Sequence, residues 1–147
     1  MRVVVGSDHA GYKLKQYLKD RLTAWGHDVE DVGTHSTDSC DYPLFGVAVG
    51  KRVVALGSDA RGVAVCGSGI GISIAANRVA GVRAALVQEP TAAKLSRQHN
   101  DANVICFGER LIGQAVAEEA LRVWLETPFE GGRHAVRVAL LEDADQR

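Results

Sequence analysis

Apolar and polar positions divide the chain into two kinds of segment. Short apolar runs such as Arg2–Ser7, with three consecutive valines, are typical of strands buried on both faces. Between these runs, apolar residues recur every three or four positions, as Leu14, Leu18 and Leu22 do, which predicts amphipathic helices. The predicted strands cover residues 2–7, 27–32, 62–66, 82–88 and 103–107, and the predicted helices cover 12–25, 43–56, 70–78, 90–99, 112–126 and 133 to about 145.

Strands that alternate with helices of these lengths predict an α/β fold. We expect a Rossmann-like, three-layer α/β/α sandwich with a five-stranded parallel sheet, in a single domain that spans residues 1–147. Right-handed crossovers place every strand-to-helix turn at one edge of such a sheet, and ligands bind at that edge. Polar segments follow three of the strands there, at residues 7–9, 66–71 and 108–110.

Composition and charge narrow the classes of function. The net charge of −1 argues against a general binder of nucleic acid or of membrane surfaces. No run approaches the roughly 20 apolar residues of a membrane span, and the N-terminal apolar run is too short for a signal peptide. The three cysteines favour a reducing compartment over a disulfide framework. We therefore expect a cytoplasmic protein.

The segment CGSGIGISIAAN, residues 66–77, joins a predicted strand to a small-residue helix through a turn with three glycines. The first turn of a helix offers unpaired N–H groups to an anion, and a thiol beside it is favoured as a thiolate. The segment lacks the third glycine of a dinucleotide fingerprint, the lysine of a P-loop and the arginine of a cysteine phosphatase loop. An anion cradle with a thiol at its edge is our hypothesis, and a merely structural turn is the alternative.

Five separated segments carry a resemblance to a known family. In order, they are GSDHAG (6–11), DYP (41–43), CGSGIGISIAAN (66–77), SRQHNDAN (96–103) and EGGRH (130–134). Together they resemble the type B ribose-5-phosphate isomerases, in the same superfamily as the galactose-6-phosphate isomerase subunits. The resemblance extends over nearly the whole chain.

The resemblance implies an aldose–ketose isomerase of the pentose phosphate pathway. Such an enzyme interconverts D-ribose 5-phosphate and D-ribulose 5-phosphate through a cis-enediolate, with no metal and no cofactor. One alternative is the same reaction on a six-carbon sugar phosphate or a free aldose. Another is a sugar-phosphate-binding subunit without catalytic activity.

The resemblance also implies roles for four catalytic residues. Cys66 matches the base that moves a proton between C2 and C1; some relatives use a carboxylate elsewhere in this turn, where the chain has Ile74 and Ala75. Ser68 stands where many members have threonine, and it keeps the hydroxyl. His99 and Asp8 match the pair that opens the sugar ring. We expect Cys106, in a strand, to be structural.

Substrate binding is implied for ten further positions. These are His9, Tyr42, Gly67, Gly69, Ile70, Gly71, Asn100, Arg110, Arg133 and Arg137. The amides of residues 67–71 would hold the enediolate. Two arginines four positions apart share a helix face and suit a phosphate dianion, although alone they would be read as solvated surface residues. We assign no role to Cys40, His27, His35 or His134, and no residue as a metal ligand.

The resemblance implies that the site is built across the interface of a homodimer, with a tetramer as a further possibility. One subunit would supply Asp8, His9, Tyr42, Cys66, Ser68, Arg133 and Arg137. The neighbouring subunit would supply His99, Asn100 and Arg110.

Overall fold

Five strands and six helices alternate along the computed structural model, which describes residues 1–144. They are β1 (Arg2–Ser7), α1 (Tyr12–Ala24), β2 (Asp28–Asp31), α2 (Tyr42–Leu56), β3 (Arg61–Cys66), α3 (Ile70–Ala76), β4 (Ala84–Leu86), α4 (Pro90–Asn100), β5 (Val104–Gly108), α5 (Gln114–Glu126) and α6 (Arg133–Ala144). Position 145, where we expected the last helix to end, lies outside the described residues. Each predicted element is present.

The strands form one parallel sheet in the order β2-β1-β3-β5-β4. This confirms the predicted Rossmann-like α/β fold. The chain adds β2 on one side of β1 and β3 on the other, so the direction of strand addition reverses between β1 and β3. A crevice forms outside the carboxyl ends of the strands at such a reversal, and it is the usual ligand position in sheets of this kind.

The core consists of two layers, one on each face of the sheet. Consecutive strand residues point to opposite faces, so Val3 and Val5 pack with α1, α4 and α5, whereas Val4 packs with α2 and α3. Trp124 of α5 is the largest fully buried side chain on the first face. Within residues 1–144, no helix is both long and apolar enough to cross a membrane.

Several predicted boundaries differ from the observed ones, among them the end of the helix expected at 70–78, which stops at Ala76, and hydrogen bonds explain two of the differences. The strand expected at 82–88 is only three residues long, because β4 is an edge strand and the Arg83 N–H donates to the Asn103 side chain instead of to a neighbouring strand. The helix expected from position 112 begins at Gln114. The amides of Leu111 and Ile112 both donate to the Gly108 carbonyl, which closes a separate turn before the helix.

Candidate active site

A cleft of about 400 Å³ opens at the carboxyl ends of β1 and β3. Its position matches the point where strand addition reverses. The lining residues are Asp8, His9, Ala10, Tyr42, Cys66, Gly67, Ser68, Gly71, Arg110 and Leu111. Seven of these ten residues were predicted from the sequence to act at one site. Of the other three, Arg110 was expected from a neighbouring subunit, and Ala10 and Leu111 were assigned no role.

A second cavity of about 400 Å³ lies at the amino ends of β4 and β5. Asn100 lines this cavity and not the cleft. The Arg83 guanidinium at its wall is engaged by Glu142 and Asp101. No cysteine or histidine contributes to the lining, so the chemistry of the side chains favours the cleft at β1 and β3 as the active site.

Cys66 is the last residue of β3 and is 4% exposed. Its Sγ accepts a hydrogen bond of 3.2 Å from the Gly69 N–H. An amide aimed at the sulfur orients the side chain. Cys106 differs, because it is fully buried and burial raises the pKa of its thiol far above the usual range. The expectation that Cys106 is structural agrees with this burial.

Gly69 makes the close turn beneath Cys66 possible. Its φ of +77° lies in the left-handed region, which residues with a side chain rarely adopt. A Cβ at this position would lie 2.5 Å from Leu86 Cδ1 and 2.8 Å from the Phe107 carbonyl carbon. Both the backbone conformation and the packing therefore require glycine here.

Ser68 turns its hydroxyl back to the start of α3. Its Oγ accepts a hydrogen bond of 3.2 Å from the Ile70 N–H. The amides of Gly69 and Ile70 are thus used by Cys66 and Ser68 within the turn. Two of the five amides that the resemblance implies as enediolate donors are therefore already engaged within the turn.

Asp8 and His9 reach the cleft from the turn that follows β1. Asp8 is 6% exposed, and its Oδ1 accepts a hydrogen bond of 3.0 Å from the Gly11 N–H. The Nδ1 of His9 lies 3.2 Å from the amide nitrogen of Cys40 and 3.1 Å from its carbonyl oxygen. These contacts hold both side chains in place before any substrate binds.

Glu109, to which we assigned no role, joins the turn after β5 to the end of β3 and to the start of α1. Its N–H donates to the Cys66 carbonyl (2.9 Å), and its Oε1 accepts from the Leu14 N–H in the first turn of α1 (2.6 Å). A carboxylate at that helix end also interacts favourably with the helix dipole. The only signal in the sequence is its place directly after a strand, which many structural residues share.

Tyr42 and Arg110 lie on opposite sides of the glycine turn. A Cβ on Gly71 would come within 2.6 Å of the Tyr42 ring, and one on Gly67 would lie 3.2 Å from Arg110 Nη1. Arg110 therefore lines the same chain's cleft, and the expectation that it comes from a neighbouring subunit is wrong. The Arg110 N–H donates to the Gly67 carbonyl, because the turn after β5 lies directly beside the turn after β3.

The remaining predicted residues form a second group, away from the cleft lining. His99 and Asn100 end α4, and Arg133 and Arg137 lie exposed on α6, which packs against α4. Within one chain the structure thus groups these arginines with α4 and not with the cleft at Cys66, although the resemblance implied that they share a subunit with Cys66. The turn at residues 131–132 directs α6 to α4, where the arginines lie near His134, whose ring stacks on that of His99.

The rings of His99 and His134 stack, with centroids 4.3 Å apart and planes inclined by 14°. His134 is buried, and Glu130 Oε2 lies 3.5 Å from its Nε2. Burial, and next the neighbouring His99, lower the pKa of His134 below its usual value. Sequence reasoning left Glu130 and His134 without a role, although their spacing of four residues was visible.

Comparison with known proteins identifies the family. Residues 3–141 match the family model described as Ribose/Galactose Isomerase. Ribose-5-phosphate isomerase B of Escherichia coli is 43% identical over 146 residues, which cover 99% of this chain and 97% of that protein.

Two solved structures have the same fold. Ribose-5-phosphate isomerase B of Clostridium thermocellum superimposes with a TM-score of 0.96 at 45% identity, over 99% of this chain and 98% of that one. The Mycoplasma genitalium enzyme, solved with bound ribulose-5-phosphate, superimposes with a TM-score of 0.96 at 34% identity, over 99% of this chain and 97% of that one. With a family match over nearly its whole length, the chain belongs to the ribose/galactose isomerase family.

Proposed function

We propose that this protein interconverts D-ribose 5-phosphate and D-ribulose 5-phosphate. The observation that carries the proposal is the Cys66 thiol, oriented by the Gly69 amide and set in a cleft with Asp8, Ser68 and Arg110. Relatives at 43% and 34% identity are named for this activity, and one of them binds ribulose-5-phosphate. The enzyme acts in the cytoplasm, in keeping with three free cysteines.

The proposed reaction begins with the closed sugar ring. Asp8 and His99 move the proton that opens the ring and frees the C1 aldehyde. The Cys66 thiolate then removes the C2 proton, and the electron pair of that C–H bond moves to give a cis-enediolate. Amides of the glycine turn stabilise its negative oxygen, as preorganised donors do in other enzymes.

The second half of the reaction returns the protons. Cys66 delivers its proton to C1, which forms the new C1–H bond, and the C2 oxygen becomes the ketone. The Ser68 hydroxyl relays a proton between the two oxygens. The C2–H bond broken and the C1–H bond formed balance, so the reaction requires no external oxidant or reductant.

The two separate groups of site residues support a homodimer. His99, Arg133 and Arg137 lie on α4 and α6, and none of them lines the cleft of its own chain. Ile70 and Leu111 near the cleft are 51% and 55% exposed, an apolar surface that a second copy would cover. A two-fold axis would place the α4–α6 group of each chain at the other chain's cleft.

The phosphate group is the proposed ligand of Arg133 and Arg137. Their positions four residues apart on α6 and their exposure allow both guanidinium groups to reach one dianion. Asn100 and His9 would contact the sugar or its phosphate from the two sides of the interface, and Tyr42 would close the pocket over Gly71.

A rate assay on the purified full-length chain tests the proposed function. We expect conversion of ribose 5-phosphate, with a lower kcat/KM for a hexose 6-phosphate and for free ribose. Preference for a six-carbon or unphosphorylated sugar would replace the proposed substrate. No turnover of any of them, together with measurable binding of ribose 5-phosphate, would indicate a non-catalytic binding subunit.

A further inference from the structure

His99, Glu130 and His134 offer three metal-ligand atoms that lie within 4.8 Å of one another. Two imidazole nitrogens and one carboxylate oxygen are a common ligand set for Zn²⁺, with a fourth position left to water. The three residues come from two separated segments of the chain, so the tertiary fold assembles the cluster.

The backbone around the cluster is held in place. The Glu130 N–H donates to the Gln98 carbonyl across 3.1 Å, which joins the residue before His99 to the loop that carries Glu130. Gly131 and Gly132 then reverse the chain with φ values of +67° and +55°, and the His134 N–H donates to the Gly131 carbonyl. This reversal of the chain brings the His134 side chain next to that of Glu130.

Binding of one ion requires the His99 ring to turn out of its stack on His134, because a metal lies in the plane of each imidazole that it binds and the two ring planes are inclined by only 14°. Zn–N and Zn–O distances of about 2.0–2.2 Å place the ligand atoms of a tetrahedral ion roughly 3.3 Å apart. The Glu130 oxygen is already 3.5 Å from His134 Nε2. The Glu130 side chain is 49% exposed and the His134 side chain only 7%, so solvent reaches the cluster from the Glu130 side.

We propose that His99, Glu130 and His134 bind a divalent transition-metal ion, with Zn²⁺ as the ion tested, and that the bound metal inhibits the enzyme. The inhibition rests on the proposed function, because the metal would occupy the His99 nitrogen that is needed to open the sugar ring. Arg133 and Arg137 lie nearby and weaken cation binding, which Glu130 counters with its negative charge.

Binding is measured without reference to activity. The metal-free, full-length protein in phosphate-free buffer competes with a chromophoric chelator for Zn²⁺, and Co²⁺ absorption reports the ligand type. We expect one ion per chain, visible bands typical of nitrogen and oxygen ligands, and no thiolate charge-transfer band. Substitution of a residue that only supports a metal ligand typically costs about 10- to 100-fold in affinity. Glu130→Gln removes a direct ligand, so we expect it to weaken Zn²⁺ binding by at least that factor.

Variants decide which residues bind the ion. Glu119→Gln is the matched control, since Glu119 is an exposed glutamate on α5 outside the cluster, and it should bind as the wild type does. His134→Gln should also lose the ion; if that buried change unfolds the chain, Glu130→Gln decides alone. Unchanged affinity in Glu130→Gln, or a thiolate band that disappears in Cys66→Ala, would overturn the proposed site.

Activity then tests inhibition. Zn²⁺ should inhibit the wild type, and Glu130→Gln should keep its basal rate while half-inhibition requires at least about tenfold more zinc. Equal inhibition of both proteins would overturn the inhibitory role. If zinc binds through the cluster but the chain does not turn over ribose 5-phosphate, the metal site stands and the proposed function falls.

Discussion

The N–H of Gly69 donates a hydrogen bond to the Sγ of Cys66 across 3.2 Å, from three residues further along the chain. The contact depends on the left-handed backbone of Gly69, which bends the chain back over the end of β3. Because the sulfur is already oriented in the free protein, little reorganisation is needed when a sugar binds.

Cys66→Ala should abolish exchange of the substrate C2 proton with solvent, because the variant has no base at the end of β3. Binding of ribose 5-phosphate should be nearly unchanged, since the phosphate contacts proposed for Arg133 and Arg137 remain. NMR in D₂O measures exchange, and calorimetry measures binding. Cys40→Ala, a change at the other cysteine that is not fully buried, is the control and should exchange normally. Exchange at the wild-type rate in Cys66→Ala would rule out the thiol as the base.

Arg137→Ala should raise KM for ribose 5-phosphate far more than for free ribose. Loss of one charge-assisted hydrogen bond costs about 1.5–3 kcal/mol, which corresponds to roughly tenfold to more than a hundredfold in KM. Steady-state kinetics on both sugars provide the measurement. Arg78→Ala, another exposed arginine, should leave both constants unchanged. An equal rise for the two sugars would mean that Arg137 does not contact the phosphate.

Mixed dimers should recover activity when Cys66→Ala chains are refolded with His99→Ala chains. In a mixed dimer with shared sites, one site carries both lesions and the other carries none. Random mixing makes about half of the dimers mixed, so activity should return to roughly a quarter of wild type. The assay uses the closed-ring sugar, on which His99→Ala must itself be nearly inactive.

The structure supplies a matched control for this experiment. Arg110 lines the same chain's cleft as Cys66, so a mixture of Cys66→Ala with Arg110→Ala should not recover, provided each homodimer is inactive. Arg137→Ala should behave as His99→Ala does. If mass spectrometry confirms mixed dimers and the Cys66–His99 mixture stays inactive, the shared site is wrong.

Asp31→Asn should destabilise the protein by about 3–5 kcal/mol at neutral pH, the usual cost of removing one partner of a buried ion pair. Asp31 accepts hydrogen bonds from Lys15 Nζ (2.8 Å) and Lys19 Nζ (3.0 Å), and the Lys15 side chain is fully buried. Urea unfolding gives the free energy. Glu30→Gln, which breaks the half-exposed pair with Arg52, should cost only about 0–1 kcal/mol.

The same carboxylate gives the stability a pH dependence. Burial raises the pKa of Asp31, but its hydrogen bonds to Lys15, Gly33 and Lys19 outweigh burial and hold the pKa below its ordinary 3.8. Its contribution is therefore complete above pH 3.8 and is lost as the pH falls through the lower folded-state pKa. The stability difference between wild type and Asp31→Asn should shrink in that acidic range. A difference that stays constant there would contradict the role of the ionised pair.

The pattern of apolar residues was sufficient to predict the order and type of most elements. The buried strands β1, β3 and β5 contain short apolar runs, and α1 and α5 are periodic, because these patterns reflect which face of an element is buried, whereas β2, with the sequence DVED, has no such run. The edge strand β4 was predicted too long, because the apolar residues at 82–88 do not show where pairing to a neighbour ends. Local sequence also identified the glycine turn after β3, since residues with a side chain rarely adopt the backbone of Gly69.

Tertiary structure alone decided which functional residues meet. Arg110 is 44 positions from Cys66 but lies beside Gly67, because β3 and β5 are neighbours in the sheet. Arg133 lies near His134, which stacks on His99, because the turn at residues 131–132 directs α6 to α4. Strand order and helix docking depend on how much apolar surface the whole chain buries, whereas a sequence motif contains information only about residues that are close to one another in the sequence. The sequence by itself therefore determined the parts of the site, and the packing of the sheet and helices determined how those parts are grouped.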